Sequence, residues 1–372
     1  MTTQHSDLSP AGQAGLSDHS GSAELTRPDG SGGPAGHEPG LTFEQVQAAA
    51  ARLAGVAHRT PLLTSATLDE QCGGPVMLKA ENFQRAGAFK FRGAYNRLSM
   101  LSEQERAAGV VAFSSGNHGG AVALAAKLLG IPAVVVVPAT GAPAKLAAIE
   151  GYGAEMVRYD PATERRAEVA AAIAAARSMT IVRPFDDYGV MAGQGTLGIE
   201  LAEQARAGGA AGEDGQAGAG AGPVDQVLVP VGGGGLAAGV STAIRALLPG
   251  ASVIGVEPAG ADDTRRSFRA GHRVTLPEPV TIADGLLAQQ PGELTFAVNS
   301  RLLDDVVTVS EEAIIDTMRF CFTRMKIVIE PSGAVALSAL RAGVVPAAGH
   351  RSVAVISGGN IDPVTFAAYL AR

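Results

Sequence analysis

Residues 109–138 read GVVAFSSGNHGGAVALAAKLLGIPAVVVVP, and this stretch decides the fold class. The apolar run GVVAF is followed by the loop SSGNHGG, the helical pattern AVALAAKLLG and a second apolar run, IPAVVVVP. Short apolar runs separated by a helix-length segment are typical of parallel strands joined by helical crossovers. The order continues with the helix APAKLAAIEGYG and the strand AEMVRY. The stretch therefore predicts a parallel sheet covered by helices.

The same alternation recurs in the second half of the chain. QVLVPV precedes a glycine run, the helix LAAGVSTAIRALL and the strand SVIGVEP, and SVAVIS precedes GGNID near the C-terminus. These patterns predict an α/β protein with two domains and open, mostly parallel sheets. In such folds, ligands bind at the loops that follow the carboxyl ends of the strands.

Two segments lack any periodic apolar pattern. Residues 1–40 are rich in Gly, Ser, His, Pro and Asp, which predicts a disordered tail. Residues 206–224 are rich in Gly and Ala and are interpreted as a flexible insertion that marks no domain boundary. Around them we expect a large domain formed by residues 41–108 and 188–372, and a small domain formed by residues 109–187.

Composition and charge exclude several classes of protein. The chain has 372 residues, 46% of them hydrophobic, and a formal net charge of −7. Because no block of lysine and arginine stands out, we expect neither nucleic acid nor a membrane as a partner. The two cysteines, Cys72 and Cys321, form no CxxC pair and indicate a reducing compartment. No signal peptide or membrane-length apolar run is recognised, so a cytoplasmic protein is expected.

The glycine run in VPVGGGGLAAG is the first chemical signal. Gly232, Gly233, Gly234 and Gly235 lie between a strand and a helix, where a phosphate can approach bare backbone N–H groups at the positive end of the helix. Two kinds of cofactor fit this pattern. One is a small phosphate-bearing cofactor. The other is a dinucleotide, because the run also matches G-x-G-x-x-A and Glu257 follows about 20 residues later.

Lys90 in RAGAFKFRGAYN favours the first kind. The lysine lies between Phe89 and Phe91, and an amine enclosed by apolar side chains loses its preference for the charged form. It then becomes a good nucleophile toward a carbonyl. Pyridoxal phosphate supplies both a carbonyl for the lysine and a phosphate for the glycine run. A nicotinamide dinucleotide gives Lys90 no comparable task, and an NAD-dependent dehydrogenase remains the alternative from a different class.

The chain resembles the fold-type II pyridoxal-phosphate (PLP) enzymes, specifically the threonine dehydratase and serine racemase group. The resemblance runs from about Leu41 to the C-terminus, and its motifs occur in the family's order: FKFRGA (residues 89–94), SSGNHGGA (114–121), AGQGT (192–196), VGGGGL (231–236), TIADGL (281–286) and SGGN (357–360). It implies a tryptophan-synthase-β-like α/β fold whose large domain binds PLP. It also implies that Lys90 forms the Schiff base and that Gly232 to Leu236 hold the phosphate.

The resemblance implies roles for further residues. Phe89 would pack against the cofactor ring, Asn117 would hydrogen-bond its phenolic oxygen, and Ser357 would meet its pyridine nitrogen. The substrate would contact Ser114, Ser115, Gly116 and His118. Ser115 would also act as the acid and base on the face opposite Lys90. Each has a structural alternative: helix capping for the serines and Asn117, core packing for Phe89 and loop packing for His118.

The segment VEPAGADD resembles the divalent-cation site of serine racemases and their relatives. Glu257, Asp263 and the backbone carbonyl of Ala261 would supply oxygen ligands for Mg²⁺ or Ca²⁺. Because neither His nor Cys joins the set, transition metals are disfavoured. The alternative is that Asp262 or Asp263 caps the helix DTRRSFRAG and that Glu257 merely ends a strand.

These roles predict an ammonia-lyase that converts L-threonine to 2-oxobutanoate and L-serine to pyruvate, with Lys90 as the base that removes the α-proton. A neutral Ser357 hydroxyl suits elimination better than transamination. Serine racemases tend to carry Asn in the short segment before AGQGT, whereas this chain reads RPFDDYGVMAGQGT, with Phe185 where the threonine-deaminating members look similar, which favours dehydration. A serine racemase and a threo-3-hydroxyaspartate dehydratase remain alternatives. By analogy we expect a homo-oligomer, dimer or tetramer, without a C-terminal regulatory domain.

Overall fold

The structure is a computed structural model. It describes residues 40–114, 116–140, 143–207 and 222–372, with the side chains left out for 143–145. Most of the predicted tail and of the predicted insertion lies outside these ranges. In the described part of the chain, no helix is both long and apolar enough to span a bilayer.

Strands and helices alternate along the chain. The strands are β1 Leu62–Thr64, β2 Val76–Ala80, β3 Val110–Phe113, β4 Ala133–Pro138, β5 Glu155–Tyr159, β6 Thr180–Ile181, β7 Gln226–Pro230, β8 Ser252–Pro258, β9 Asp305–Val309 and β10 Ser352–Ile356. The α-helices are α1 Phe43–Leu53, α2 Ala66–Cys72, α3 Lys90–Ser99, α4 Glu103–Ala108, α5 Asn117–Leu129, α6 Pro143–Gly151, α7 Arg166–Arg177, α8 Tyr188–Ala207, α9 Gly235–Leu247, α10 Asp263–Ala270, α11 Glu293–Leu302, α12 Glu311–Phe320, α13 Pro331–Arg341 and α14 Pro363–Leu370. Short 3₁₀ turns lie at Glu81–Phe83, Arg85–Gly87 and Asp284–Leu286, and a π-helical turn lies at Cys321–Met325.

The larger sheet has six strands in the order β1-β2-β10-β7-β8-β9. All neighbours are parallel except β1, which pairs antiparallel with β2. The last strand in sequence, β10, therefore lies between β2 and β7. Because these three strands are parallel, their carboxyl ends meet at one edge of the sheet, and the segments that follow them are brought together there.

The larger sheet is buried on both faces, which explains why its strands have nearly continuous apolar sequences. Val227 and Val229 of β7 pack in a cluster with side chains of α8 and α9. Between them, Leu228 faces the other side and packs with side chains of α13. This alternation follows from the two-residue period of a strand.

The smaller sheet has four parallel strands in the order β5-β4-β3-β6. Helix α3 packs beside it, since Phe91 and Leu98 share a core cluster with Val110 and Val122. The predicted α/β class with mostly parallel sheets is confirmed. The division into a large and a small domain stays a prediction.

One local prediction is wrong. SSGNHGG was expected to be a loop, but α5 begins at Asn117 and includes its last four residues. Gly119 explains the difference, because a Cβ atom there would overlap the backbone carbonyl of Ser114. The glycine therefore serves close packing of the first helical turn against the preceding strand, and not chain flexibility.

Candidate active site

The segments that follow β2 and β10 touch each other at the carboxyl edge of the larger sheet. The backbone N–H of Phe89 donates to the carbonyl of Ser357 at 3.0 Å, and Ala88 and Gly358 form an isolated bridge. The glycine run follows β7, the other neighbour of β10. The fold thus collects Lys90, Ser357 and the glycine run at one edge.

Lys90 is the first residue of α3, and its amine is enclosed. The Nζ atom donates to the carbonyl of Pro184 at 2.8 Å and lies 5.1 Å from the centre of the Phe89 ring. Burial lowers the pKa of Lys90 from 10.5 to about 8, because water is excluded and the charged form is disfavoured. A substantial neutral fraction is therefore present near pH 8, as a nucleophile or a base requires.

The glycine run presents hydrogen-bond donors on one side and has its acceptors occupied on the other. The carbonyls of Gly233 and Gly234 accept from Thr295 Oγ1 at 2.7 Å and Asn299 Nδ2 at 3.0 Å. The backbone N–H groups of Gly232 to Leu236 find no acceptor among the described residues. They also lie at the start of α9, which has no side-chain cap. This set of donors fits a phosphate group.

Phe185 forms one wall of the glycine run. A Cβ atom on Gly233 would overlap the Phe185 ring, and one on Gly235 would lie 3.0 Å from Phe185 Cα. Gly234 has φ of +89°, a left-handed conformation that favours glycine. A Cβ atom on Gly232 would lie 2.9 Å from the backbone Cα of Leu286, so all four glycines are required by contact or conformation.

Asn117 is held by two polar side chains that the sequence did not single out. Its Nδ2 donates to Glu330 Oε1 at 2.6 Å, and its Oδ1 accepts from Asn360 Nδ2 at 2.8 Å. Asn117 does not cap α5, whose N-cap is Gly116 and lacks a side-chain hydrogen bond. The capping alternative for Asn117 is therefore wrong. Asn360 belongs to the quoted SGGN motif, whereas Glu330 follows the apolar stretch IVI with no local signal.

A cavity of about 330 Å³ opens beside Asn117. Its lining includes Gly116 and Asn360, together with several small residues. Of the predicted substrate contacts, Ser115 lies outside the described residues. Ser114 Oγ accepts from the N–H of Gly116 at 3.2 Å.

His118 and Ser357 are both buried. His118 Nε2 lies 2.9 Å from the carbonyl of Val182, and burial, with the nearby Lys90 charge, lowers its pKa to about 3. The imidazole is therefore neutral at ordinary pH and packs from the first turn of α5 against the residue that follows β6, not in a loop. Ser357 Oγ donates to the carbonyl of Ser332 at 3.3 Å. It caps no described helix, because α14 is capped by Asp362.

A buried ionic quartet of Lys79, Glu81, Arg92 and Glu200 anchors the helix that carries Lys90. Arg92, two residues after Lys90, donates to both carboxylate oxygens of Glu81 at 2.8 Å and to those of Glu200 at 2.7 and 3.0 Å. Lys79 donates to Glu200 at 2.7 Å. Arg92 and Lys79 are only 1% and 0% exposed. The quartet joins β2, α3 and α8, and no local sequence pattern indicates it.

The proposed cation ligands lie at the end of β8, which includes Glu257, and in the residues that lead into α10. Glu257 is buried and caps α10, because its carboxylate accepts from the N–H groups of Thr264 at 3.0 Å and Arg265 at 2.8 Å. Asp262 pairs with Arg266 at 2.8 Å, and Asp263 is buried with neither carboxylate oxygen bonded to a described residue. The alternative in which Asp262 or Asp263 caps the helix is therefore wrong.

The electrostatics of this pair suit a cation. Burial, and next the Asp263 charge, raise the pKa of Glu257 to about 8. Burial likewise raises the pKa of Asp263 to about 7. Two buried carboxylates with an unbonded oxygen pair fit a hard divalent cation, with the Ala261 carbonyl as a third ligand. Among the described residues no group of three or more His, Cys, Asp or Glu side chains forms a metal site, so backbone or water oxygens would complete the shell.

Residues 53–358 match the family described as "Pyridoxal-phosphate dependent enzyme". The chain belongs to this family. A serine racemase of Schizosaccharomyces pombe is 42% identical over 331 residues, which cover 89% of this chain and 98% of the relative. An L-threo-3-hydroxyaspartate ammonia-lyase of Pseudomonas sp. is 43% identical over 329 residues, covering 88% and 98%. The solved structure of a threonine deaminase from T.th., 42% identical, superposes with a TM-score of 0.78 over 86% of this chain and 99% of that one.

The residues of this PLP enzyme fit the cofactor. The enclosed amine of Lys90 can bind its carbonyl, the N–H groups of Gly232 to Leu236 can bind its phosphate, and the Ser357 hydroxyl lies at the adjacent strand end. The family assignment replaces the NAD-dependent dehydrogenase alternative. A dinucleotide would need the Glu257 carboxylate to bind its ribose. In the structure this carboxylate is buried and caps α10.

Proposed function

We propose that this chain is an ammonia-lyase for small β-hydroxy amino acids, with L-threonine first and L-serine second. The observation that carries the proposal is the pairing of an enclosed Lys90 amine with a neutral hydroxyl, Ser357, at the edge where the glycine run also lies. The Lys90 amine can move a proton, and the Ser357 hydroxyl leaves the cofactor's ring nitrogen without a negatively charged partner.

When bound, PLP withdraws electrons from the α-carbon of an amino acid and so acidifies the α-proton. The Lys90 amine, with a pKa of about 8, then removes this proton as its neutral form. Ser357 donates to a backbone carbonyl and carries no charge, so the ring nitrogen would have no negatively charged partner. The ring would then stabilise negative charge at the α-carbon only weakly. Weak stabilisation favours prompt loss of the β-hydroxyl, which would take the proton held by the Lys90 ammonium and leave as water. The released enamine tautomerises and is hydrolysed to a 2-oxo acid and ammonia.

The cavity beside Asn117 supports a small, neutral β-substituent. Ala86, Gly87, Gly120 and Ala148 contribute small side chains or none, and Tyr152 adds an aromatic ring. Among its described lining residues there is no lysine or arginine, whereas Asp362 adds a carboxylate. A second substrate carboxylate, as in hydroxyaspartate, would be desolvated there without a cationic partner.

The likeness to a serine racemase and to a hydroxyaspartate ammonia-lyase supports a second candidate. Racemisation needs a proton donor on the face opposite Lys90, and Ser115 is proposed for it. We also propose that Glu257, Asp263 and the Ala261 carbonyl bind Mg²⁺ or Ca²⁺. A cytoplasmic homo-oligomer stays a prediction.

One experiment separates these activities. Purified enzyme loaded with PLP is incubated with L-threonine, L-serine, D-serine and threo-3-hydroxyaspartate, and 2-oxo acid and enantiomer are measured in each. We expect 2-oxobutanoate from L-threonine to form fastest, then pyruvate from L-serine. Fastest turnover of threo-3-hydroxyaspartate, or net racemisation of serine that exceeds pyruvate formation, would overturn the proposed substrate order.

A further inference from the structure

Helix α11 lies behind the glycine run and touches it through two buried polar side chains. Thr295 and Asn299 are 0% and 1% exposed and stand four residues apart, so both are on one face of the helix. Their bonds reach two consecutive carbonyls, those of Gly233 and Gly234. A mainly apolar helix face would have served packing equally well, so the two polar groups require another explanation.

These two hydrogen bonds help to set the direction of the N–H groups, beside the backbone bonds that Gly234 O accepts from Ala238 N–H at 2.9 Å and Gly233 O accepts from Gly292 N–H at 3.5 Å. In a trans peptide the C=O and the following N–H point to opposite sides. Holding the carbonyls of Gly233 and Gly234 toward α11 therefore turns the N–H groups of Gly234 and Gly235 away from it. The left-handed conformation of Gly234 lets successive N–H groups converge on one anion. The donors that face a phosphate are thus oriented from behind.

The position of α11 is itself fixed by the segment that contacts Lys90. Asp186 Oδ1 accepts from the N–H groups of Leu294 at 2.9 Å and Thr295 at 3.2 Å and so caps the helix. The preceding residue, Phe185, lies against Gly233, and Pro184 accepts from the Lys90 amine. One short segment therefore connects the lysine, the wall of the glycine run and the helix behind it.

We propose that Thr295 and Asn299 are positioning residues for the cofactor phosphate, with Asp186 holding their helix in place. Neither side chain need touch the cofactor, because each acts through a glycine carbonyl. The inference rests on PLP binding by this family and is independent of which amino acid is the substrate. It goes beyond the proposed lyase reaction.

The test measures PLP affinity of the apoprotein without substrate. Thr295→Val keeps the shape of the side chain and removes the donor, Thr295→Ser retains the hydroxyl, and Asn299→Leu removes the second donor. Thr242→Val is the matched control, because Thr242 is also buried and its hydroxyl donates at 2.8 Å to Ala238 within α9 itself. The dissociation constant is taken from absorbance titration, and the Tm is recorded with and without PLP.

We expect Thr295→Val and Asn299→Leu each to weaken PLP binding roughly 3- to 10-fold, the value of one hydrogen bond. Thr295→Ser should restore binding, and Thr242→Val should leave it unchanged. If Thr295→Val lowers the Tm of the apoprotein but binds PLP as tightly as the wild type, the role is structural only and the proposal fails. If one variant does not fold, the other still decides the question, since each tests a separate carbonyl.

Discussion

The amine of Lys90 lies 2.8 Å from the carbonyl oxygen of Pro184, a neutral acceptor. Burial is the cause of the lowered pKa of Lys90, about 8. A carbonyl directs the amine without restoring its proton as firmly as a carboxylate would. The chain thus holds the Lys90 amine in place while a substantial fraction of it stays uncharged near pH 8.

The first prediction concerns the pH dependence of cofactor capture. Only the neutral amine attacks a carbonyl, so the rate at which apoprotein takes up PLP should rise with pH and level off above about 8. Below that pH it should fall about tenfold per unit. Stopped-flow absorbance measures the rate, and Lys90→Ala should show neither capture nor a borohydride-fixed adduct. A rate that still rises toward pH 10 would show that Lys90 has the pKa of an ordinary lysine.

The second prediction concerns Gly233. A methyl group at this position would overlap the Phe185 ring, so Gly233→Ala must displace the ring or the loop. Overpacking of this kind costs about 1–3 kcal/mol, and we expect PLP affinity to fall about 5- to 150-fold. Gly250→Ala is the control, because a Cβ atom there meets nothing within 4 Å. Equal PLP affinity in both variants would contradict the contact.

The third prediction tests the cation. If Mg²⁺ or Ca²⁺ binds between Glu257 and Asp263, chelation should lower the Tm and either ion should restore it. Asp263→Asn should make the Tm insensitive to both treatments. Asp262→Asn is the control, because that neighbouring carboxylate pairs with Arg266 and should keep the full response. If chelator leaves the Tm of the wild-type protein unchanged, the proposal of a cation site is wrong.

The fourth prediction concerns the buried ionic quartet. Arg92→Met leaves Glu81 buried without its main partner, which should lower the free energy of unfolding by about 3–5 kcal/mol. Arg177→Met breaks the exposed pair with Glu155, which water screens, and should lower the free energy of unfolding far less. Urea unfolding of both apoproteins gives the two values. Similar losses would mean that the quartet is no more important than a surface pair.

The fifth prediction concerns Ser115. Only inversion at the α-carbon needs a proton donor on the second face, whereas dehydration of an L-amino acid needs Lys90 alone. Ser115→Ala should therefore lose any racemisation far more than it loses 2-oxo acid formation. Chiral chromatography and a 2-oxo acid assay follow the two rates. A parallel loss of both would assign Ser115 to substrate positioning.

Local sequence patterns predicted the elements but not their arrangement. The strand SVIGVEP is observed at Ser252–Pro258, because both sheet faces are covered and the run is mainly apolar, with Glu257 near its end. The insertion of β10 between β2 and β7 depends on pairing between residues far apart, such as Val353 with Met77, and no local pattern records it. The start of α5 was not predicted because, in sequence, glycines that permit close packing cannot be distinguished from glycines of a loop.

The same limit applies to the site. Lys90 and the glycine run stand out because their neighbours in sequence already show their chemistry. Glu330, Thr295 and Asn299 are single polar residues in otherwise ordinary segments, and their partners Asn117, Gly233 and Gly234 lie far away in the chain. Only the folded structure brings such residues next to the groups that they orient.

The buried ionic quartet limits how this sequence can evolve. Two cations and two carboxylates share one largely buried region, in which only Glu200 keeps some exposure, so its net charge is zero. A single substitution at Glu81 or Arg92 leaves an unpaired buried charge. A lineage that changes the two residues one at a time must therefore pass through a destabilised protein. Descendants should therefore keep both residues or exchange an oppositely charged pair together. Positions 81 and 92 are then expected to covary across related genes, even though neither side chain has been assigned a part in the reaction.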